Sequence, residues 1–231
     1  MSNRSIHTLL KNWDEECPLT REEAVEVLNL PEEEMDSLME CAYALRTKYK
    51  GKKVSVQLLT NVRSGNCTQN CAYCAQSKDS QAEIEKYKRV SDEKLYGDND
   101  LVDEKHLARH CIGLSGIGFS DEEIEDLADR IREMKKKDTQ ICCSIGFLTE
   151  KQARILKDAG LDRINHNLNS SRSFYPEICT THTYDQRVNN IKMLQSLGFE
   201  ICSGGIIGMG ESKEDVVDML LELREIQPEA L

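Results

Sequence analysis

The stretch "VSVQLLTNVRSGNCTQNCAYCAQSK", residues 54–78, decides how the rest of the chain is read. Its first seven residues form a short apolar segment of the kind that makes a buried strand. Just beyond it come Cys67, Cys71 and Cys74 at an x3-then-x2 spacing, with Tyr73 beside the last. A structural zinc site usually takes four ligands, often as paired C-x2-C units, and only the second half of this motif has that spacing. An iron–sulfur cluster held by three thiolates leaves one iron open for a small ligand, which suits chemistry. The cluster is the preferred expectation and zinc its alternative.

Working outward, the grammar of residue 54 onward repeats. Short apolar segments at 54–60, 110–116, 140–146, 162–168 and 200–208 alternate with helical patterns at about 91–108, 120–137, 149–158, 183–197 and 212–225. Ser120 with Glu123, Thr149 with Gln152 and Thr183 with Gln186 match the capping box that opens a helix. Repeated strand then helix predicts a parallel sheet, so the fold class is α/β. The three-cysteine loop then lies at the strand end where (β/α) barrels assemble their active sites. Before residue 54 the chain reads as helical, with Thr20 and Glu23 as a capping box and Pro31 in the first turn of a second helix. The expected organisation is a helical leader over residues 1–50 and a TIM-type barrel over 51–231 of about five βα units. A closed eight-unit barrel needs ~250 residues, so the barrel is expected to be incomplete in these 231 residues.

Composition narrows the function classes. The chain is 39% hydrophobic without a run that would span a membrane, and its formal charge of −11 disfavours a phosphate backbone as partner. A small-molecule substrate is expected, with neither nucleic acid nor membrane. The start "MSNRSIHTLLKNWDEE" lacks the apolar middle of a signal peptide, which predicts a cytoplasmic protein with reduced thiols. Ten cysteines there point to metal ligation, catalysis or packing rather than disulfides.

Strand alternation sorts the remaining cysteines. Arg109, Cys111, Gly113 and Ser115 share one face of their strand, opposite the helix-facing His110, Ile112 and Leu114. Cys142 shares the interior face with Gln140 and Ser144, while Cys143 faces the helices. Cys202 lies with Glu200 and Gly204. Arg163, Asn165 and Asn167 point inward, with His166 read as a satisfied core histidine. Buried amides need partners, supplied by a polar network or a bound ligand. Cys17 and Cys41 read as packing or surface thiols. Cys179, in the loop after the fourth strand, has no assigned role.

The C-x3-C-x2-C loop resembles that of the radical S-adenosylmethionine enzymes. "HCIGLSG", "GLDRINHNLNSS", "CTTHTYDQRV" and "CSGGIIGMGES" resemble the biotin synthase family within them, from about residue 54 to the C-terminus. The resemblance implies a radical SAM barrel in which Cys67, Cys71 and Cys74 hold a [4Fe–4S] cluster whose open iron binds S-adenosyl-L-methionine. It implies that Cys111, Cys142 and Cys202 hold a [2Fe–2S] cluster that donates sulfur to dethiobiotin. That cluster's usual fourth ligand is an arginine on a late strand to which nothing here corresponds. Cofactor contacts fall to Tyr73, Asn165, Asn167, Asn169, Arg187, Gly204 and Gly205, with Arg187 receiving the cofactor's carboxylate. Asn169 stands where the family often has an acid for the ribose hydroxyls. A flavodoxin or ferredoxin as electron donor and a homodimer are also implied. Three alternatives remain open: another radical enzyme on the same scaffold, akin to the hydrogenase maturases or methylornithine synthases; a non-catalytic cluster-binding chain; and a zinc module.

Overall fold

The computed structural model describes residues 18–231, so Cys17 lies outside the described residues. Among the described residues two helices come first: α1 (Arg21–Leu28) and α2 (Met35–Lys50), the latter preceded by a 3-10 turn over Glu32–Glu34. Five strands follow, β1 (Gln57–Arg63), β2 (Arg109–Leu114), β3 (Ile141–Ser144), β4 (Arg163–Asn165) and β5 (Glu200–Cys202). Between and after them come α3 (Asp92–Glu104), α4 (Asp121–Met134), α5 (Glu150–Asp158), α6 (Tyr175–Ile178), α7 (Tyr184–Ser196) and α8 (Lys213–Ile226). All four expected capping boxes form, and Ser212 with Asp215 adds a fifth at the start of α8.

Every strand pairs in parallel with the one before it, in the order β1-β2-β3-β4-β5. Because parallel crossovers are right-handed, an unbroken order puts every connecting helix on the same face of the sheet. That is the winding of a barrel wall; a doubly wound sheet would reverse its order at a switch point. The helix-facing row Ile112, Cys143, Ile164 and Ile201 is completely buried and packs against Ile124, Leu127 and Ile131 of α4, Leu156 of α5 and Ile191 of α7. Each such aliphatic side chain contributes roughly 1.5–3 kcal/mol through burial.

The strands differ from expectation mainly at their ends. The first segment was expected at 54–60, but pairing starts at Gln57 opposite Arg109 and runs to Arg63, leaving Val54 and Val56 exposed. Val56 still accepts from Ala108 N–H at 2.9 Å, so the pairing fades out just before Gln57. Beyond α8 the backbone returns to the sheet: Cys202 bridges to Ala230 in parallel, with Ser203 N–H donating to the Ala230 carbonyl at 3.0 Å. Helix α1 docks on α8, where Arg21 holds Asp218 with two hydrogen bonds of 2.6 and 3.0 Å. Both side chains are well exposed, so solvent screens the pair and it adds little to stability. No helix among the described residues is long and apolar enough to cross a membrane.

Candidate functional site

The loop after β1 is a closed excursion. Ser64 and Tyr87 form an antiparallel bridge, exchanging N–H···O bonds of 3.0 Å, and everything between them projects over the strand ends. Positive φ at Gly65 (75°) and Asn66 (56°) turns the chain out of β1, a conformation glycine and asparagine take at least cost. Within the loop, Cys74 N–H donates to the Cys71 carbonyl at 3.1 Å and Lys78 N–H to the Gln69 carbonyl at 2.9 Å. On the opposite side, Gly146 leaves β3 against the Ile117 carbonyl, where a Cβ would collide with backbone. Phe147 N–H donates to that same carbonyl at 2.7 Å.

Beneath the loop lies a cavity of about 310 Å3, at the lower end of the size of ligand sites. Cys67, Cys71, Tyr73 and Cys74 line it from the loop, Asn165, Asn167 and Asn169 from the end of β4, and Arg187 from α7. The loop cysteines, the asparagines and the arginine expected as site residues thus meet in one place. Gly204 and Gly205 stand just outside: Gly205 bridges to Asn169, whose N–H donates to the Gly204 carbonyl at 3.1 Å. Asn169 is buried with φ at 71°.

The electrostatics around Cys71 are unusual. Burial, with the Cys179 thiol 3.7 Å away, pushes the Cys71 thiol up to about 12, although the Tyr73 hydroxyl donates to it. Burial also raises Tyr73 above its ordinary range. Arg187 spreads its guanidinium over the Asn167 carbonyl (3.0 Å), the Tyr175 hydroxyl (2.5 Å) and His182 Nε2 (3.0 Å). Burial and that cation hold His182 down at about 4, and His166 at about 3. His166 is buried as expected, but it is not satisfied, because its Nε2 has no hydrogen-bond partner and it also lines the cavity.

The interior cysteines form a second group lower on the sheet. Cys111 and Cys142 are direct cross-strand partners, and the same row continues through Arg163 to Glu200. Cys202 lies one inward-facing row higher, opposite Asn165, whose Nδ2 donates to its sulfur at 3.3 Å. Glu200 ties Arg163 (2.7 Å) and Arg109 (3.2 Å) together, and Arg109 Nη1 is buried without a partner. A hydrogen bond from Cys142, aided by Arg109 and Arg163, brings the Cys111 thiol down to about 7, while the same contact and burial push Cys142 up. Cys143 packs in the helix-facing core, as its parity predicts. Cys41 is half-buried on α2, away from both groups.

Sequence reasoning missed what holds the loop down. Asn70, between the first two loop cysteines, reaches the segment after α6: its Nδ2 donates to Thr180 Oγ1 at 2.7 Å. Its Oδ1 accepts from Thr180 N–H, Thr181 N–H and Thr181 Oγ1 at 3.1, 3.3 and 3.0 Å. This clamp brings Cys179 and His182 under Cys71, so that Cys71, Cys179 and His182 hold their donor atoms within 4.8 Å of one another. No other triple does so among the described residues. The Asn70–Thr180 contact joins residues more than a hundred positions apart, beyond the reach of any local pattern.

The sequence profile described as the Radical SAM superfamily matches residues 61–223. Among curated proteins, the biotin synthase of Geobacillus kaustophilus (strain HTA426) is 41% identical over 214 residues, covering 92% of this chain and 64% of that protein. The biotin synthase of Bacillus subtilis (strain 168) is 40% identical over the same length, with the same coverage. The chain therefore spans 64% of the length of these relatives. Among solved structures, a methylornithine synthase aligns with a TM-score of 0.84 at 17% identity, covering 97% of this chain and 65% of that one. An FeFe-hydrogenase maturase from Carboxydothermus hydrogenoformans aligns at 0.81 and 19%, covering 96% and 52%. These two speak for the fold alone, a parallel half-barrel wall with its helices outside. With its cysteine loop over the strand ends and the superfamily profile running from β1 into α8, the chain belongs to the radical SAM superfamily.

Proposed function

We propose that the chain is a biotin synthase-like radical S-adenosylmethionine sulfurtransferase acting on dethiobiotin to form biotin. The observation that carries this reading is the pairing of two thiol sets on one sheet: Cys67, Cys71 and Cys74 over the cavity, and Cys111, Cys142 and Cys202 on the inward-facing rows. The identity of about 40% to curated biotin synthases supports the substrate, and the second thiol set supports sulfur insertion over the chemistry of the other fold relatives.

The donor sets fit the groups this reading requires. The loop thiols face one cavity without converging on one point, which suits thiolates on separate irons of a [4Fe–4S] cluster better than four-coordination of a single zinc ion. The Cys111–Cys142 pair, with Cys202 a row away, suits a [2Fe–2S] cluster bridging two positions. Bound there, these cofactors with S-adenosylmethionine supply the radical that removes hydrogen from an unactivated carbon and the sulfur that replaces it.

The protein's own part is positional. Cys67, Cys71 and Cys74 hold the first cluster, and Tyr73 shields its edge. Arg187, already planar over the cavity, receives the cofactor's carboxylate as a guanidinium does well. Asn165, Asn167 and Asn169 offer amides to cofactor and substrate, and Gly204 and Gly205 let the backbone approach. Cys111, Cys142 and Cys202 hold the sulfur-donating cluster, with Arg109 and Arg163 offsetting its negative charge. We further assign residues 1–50 as a leader and 51–231 as barrel, in a cytoplasmic homodimer reduced by a flavodoxin or ferredoxin.

Anaerobic reconstitution with iron and sulfide, then S-adenosylmethionine, a reductant and dethiobiotin, tests this. About four irons per chain with 5′-deoxyadenosine formed supports the loop site, and about six with biotin formed supports both clusters. Absence of iron–sulfur absorbance and of deoxyadenosine refutes the reading.

A further inference from the structure

Cys179 is buried, yet its surroundings are not those of a small hydrophobe. Its sulfur lies 3.7 Å from Cys71 Sγ, 3.3 Å from His182 Nδ1, 3.5 Å from Thr181 Oγ1 and 3.6 Å from Asn70 Oδ1. Two sulfurs and an imidazole nitrogen at such separations describe a coordination polyhedron. Around one tetrahedral ion, metal–sulfur bonds of ~2.3 Å and metal–nitrogen bonds of ~2.0–2.1 Å set a sulfur–sulfur edge of roughly 3.8 Å and sulfur–nitrogen edges of roughly 3.6 Å. The Cys71–Cys179 and Cys179–His182 edges already match, and the third donor pair stands within 4.8 Å. The Asn70 clamp that assembles the group makes no use of a metal, so the donors are held ready before one arrives.

We infer that Cys71, Cys179 and His182 form a Cys2His site for a soft divalent cation, with zinc the natural occupant, in the chain before it carries a cluster. Three protein donors leave a fourth position for water, the coordination of an exchangeable ion rather than a closed structural one. His182 Nδ1 is now 2.9 Å from Gln69 Oε1, and Nε2 is 2.8 Å from the Tyr175 hydroxyl. Binding through Nδ1 releases the Gln69 contact and puts the ring proton on Nε2, where the Tyr175 oxygen accepts it. Such an outer contact fixes the tautomer of a ligating imidazole. Arg187 loses its contact with Nε2 and keeps the one to the Asn167 carbonyl. Two thiolates and a divalent ion sum to zero charge, so the neighbouring guanidinium is not repelled.

Cys71 cannot serve both metals at once. The competition that follows rests on the function proposed above: zinc occupies Cys71 in the cluster-free chain and leaves when a cluster is built, which makes the site a guard on a buried thiol.

The test titrates the purified, thiol-reduced, cluster-free chain with Co2+ under nitrogen. About one cobalt per chain binds, with sulfur-to-cobalt charge transfer in the near ultraviolet and visible bands of a tetrahedral ion, and Zn2+ bleaches both. Cys179→Ser abolishes the bands, whereas Cys74→Ser, which leaves all three donors in place, keeps them. X-ray absorption at the zinc edge of the unsubstituted chain gives two sulfurs and an imidazole. Three sulfurs, or bands that survive Cys179→Ser, put the metal on the x3–x2 cysteines or on Cys111, Cys142 and Cys202, bands lost in Cys74→Ser put it on the x3–x2 cysteines, and each overturns the inference. Zinc preloading slows acquisition of iron–sulfur absorbance in the unsubstituted chain but not in Cys179→Ser. Equal loading rates with and without zinc overturn the competition. A chain that shows the cobalt bands but never gains iron–sulfur absorbance refutes the proposed function and leaves the zinc site standing.

Discussion

Replacing Asn70 with alanine removes four hydrogen bonds between the cysteine loop and residues 180–181, one donated by Nδ2 and three accepted by Oδ1. A hydrogen bond contributes ~0.5–1.5 kcal/mol net, but the region is accessible to water, which replaces part of what is lost. The lower end of the range applies, about 2 kcal/mol for the set. That corresponds to a ~30-fold rise in the fraction of loop-open chains and, for a chain of this size, to a fall of ~4–8 °C in Tm. Asn70→Asp separates the clamp from mere side-chain bulk. Its carboxylate keeps all three accepting contacts and loses only the donated one, so it stays within about 1 kcal/mol of the parent. Equilibrium urea unfolding with thermal melts measures both variants, and hydrogen exchange over residues 65–86 locates the change. Equal stability of alanine and parent, or equal loss in alanine and aspartate, refutes the clamp.

Other consequences are as direct. Gly146→Ala drives a Cβ into the Ile117 carbonyl and destabilises by ~1–3 kcal/mol, whereas Gly204→Ala meets nothing within 4 Å and leaves the melting curve in place. Burial holds His110 at about 4, His166 at about 3 and His182 at about 4. These histidines stay neutral in the fold while the unfolded chain protonates its own below pH ~6.5. Each therefore removes ~1.4 kcal/mol of stability per pH unit as pH falls from ~6.5 towards 4, and urea unfolding at stepped pH shows a shallower slope in His110→Gln. In the cluster-free chain, alkylation of Cys111 by iodoacetamide has its midpoint below the ~8.5 of a free thiol. Cys142→Ala moves that midpoint upward, as peptide mass mapping of the labelled chain reads.

Local rules made much of the fold legible, and they failed where distance took over. Thr20, Ser120, Thr149 and Thr183 each announce a helix through contacts three residues long, and each helix begins there. Strand parity separated Cys142 from Cys143 because a buried row on one face of β3 leaves no other assignment. The start of β1 was misread because Val54 and Val56 alternate like strand residues, and only the partner strand decides which residues pair. The four-residue helix α6 was invisible in a segment whose Pro176 is compatible with a loop or a first turn. Cys179 and His182 gained their meaning from Asn70, a residue unremarkable in sequence. Arg109 and Arg163 were placed on the inward face, but their joint hold on Glu200 needed the register of three strands.

The unbroken order of the five strands also bears on how the chain is made. Each strand's partner is the one translated just before it, so a βα unit can dock as soon as it leaves the ribosome, without waiting for a distant segment. Loop-closure entropy is then met in short instalments, which favours rapid folding for a parallel sheet. Besides the fixed outer edge of β1, what stays exposed during synthesis is one moving edge, the strand most recently added. Each edge is covered by the next arrival, as Ala230 already does for Cys202, so the interval during which it can pair with another nascent chain is set by the pace of elongation.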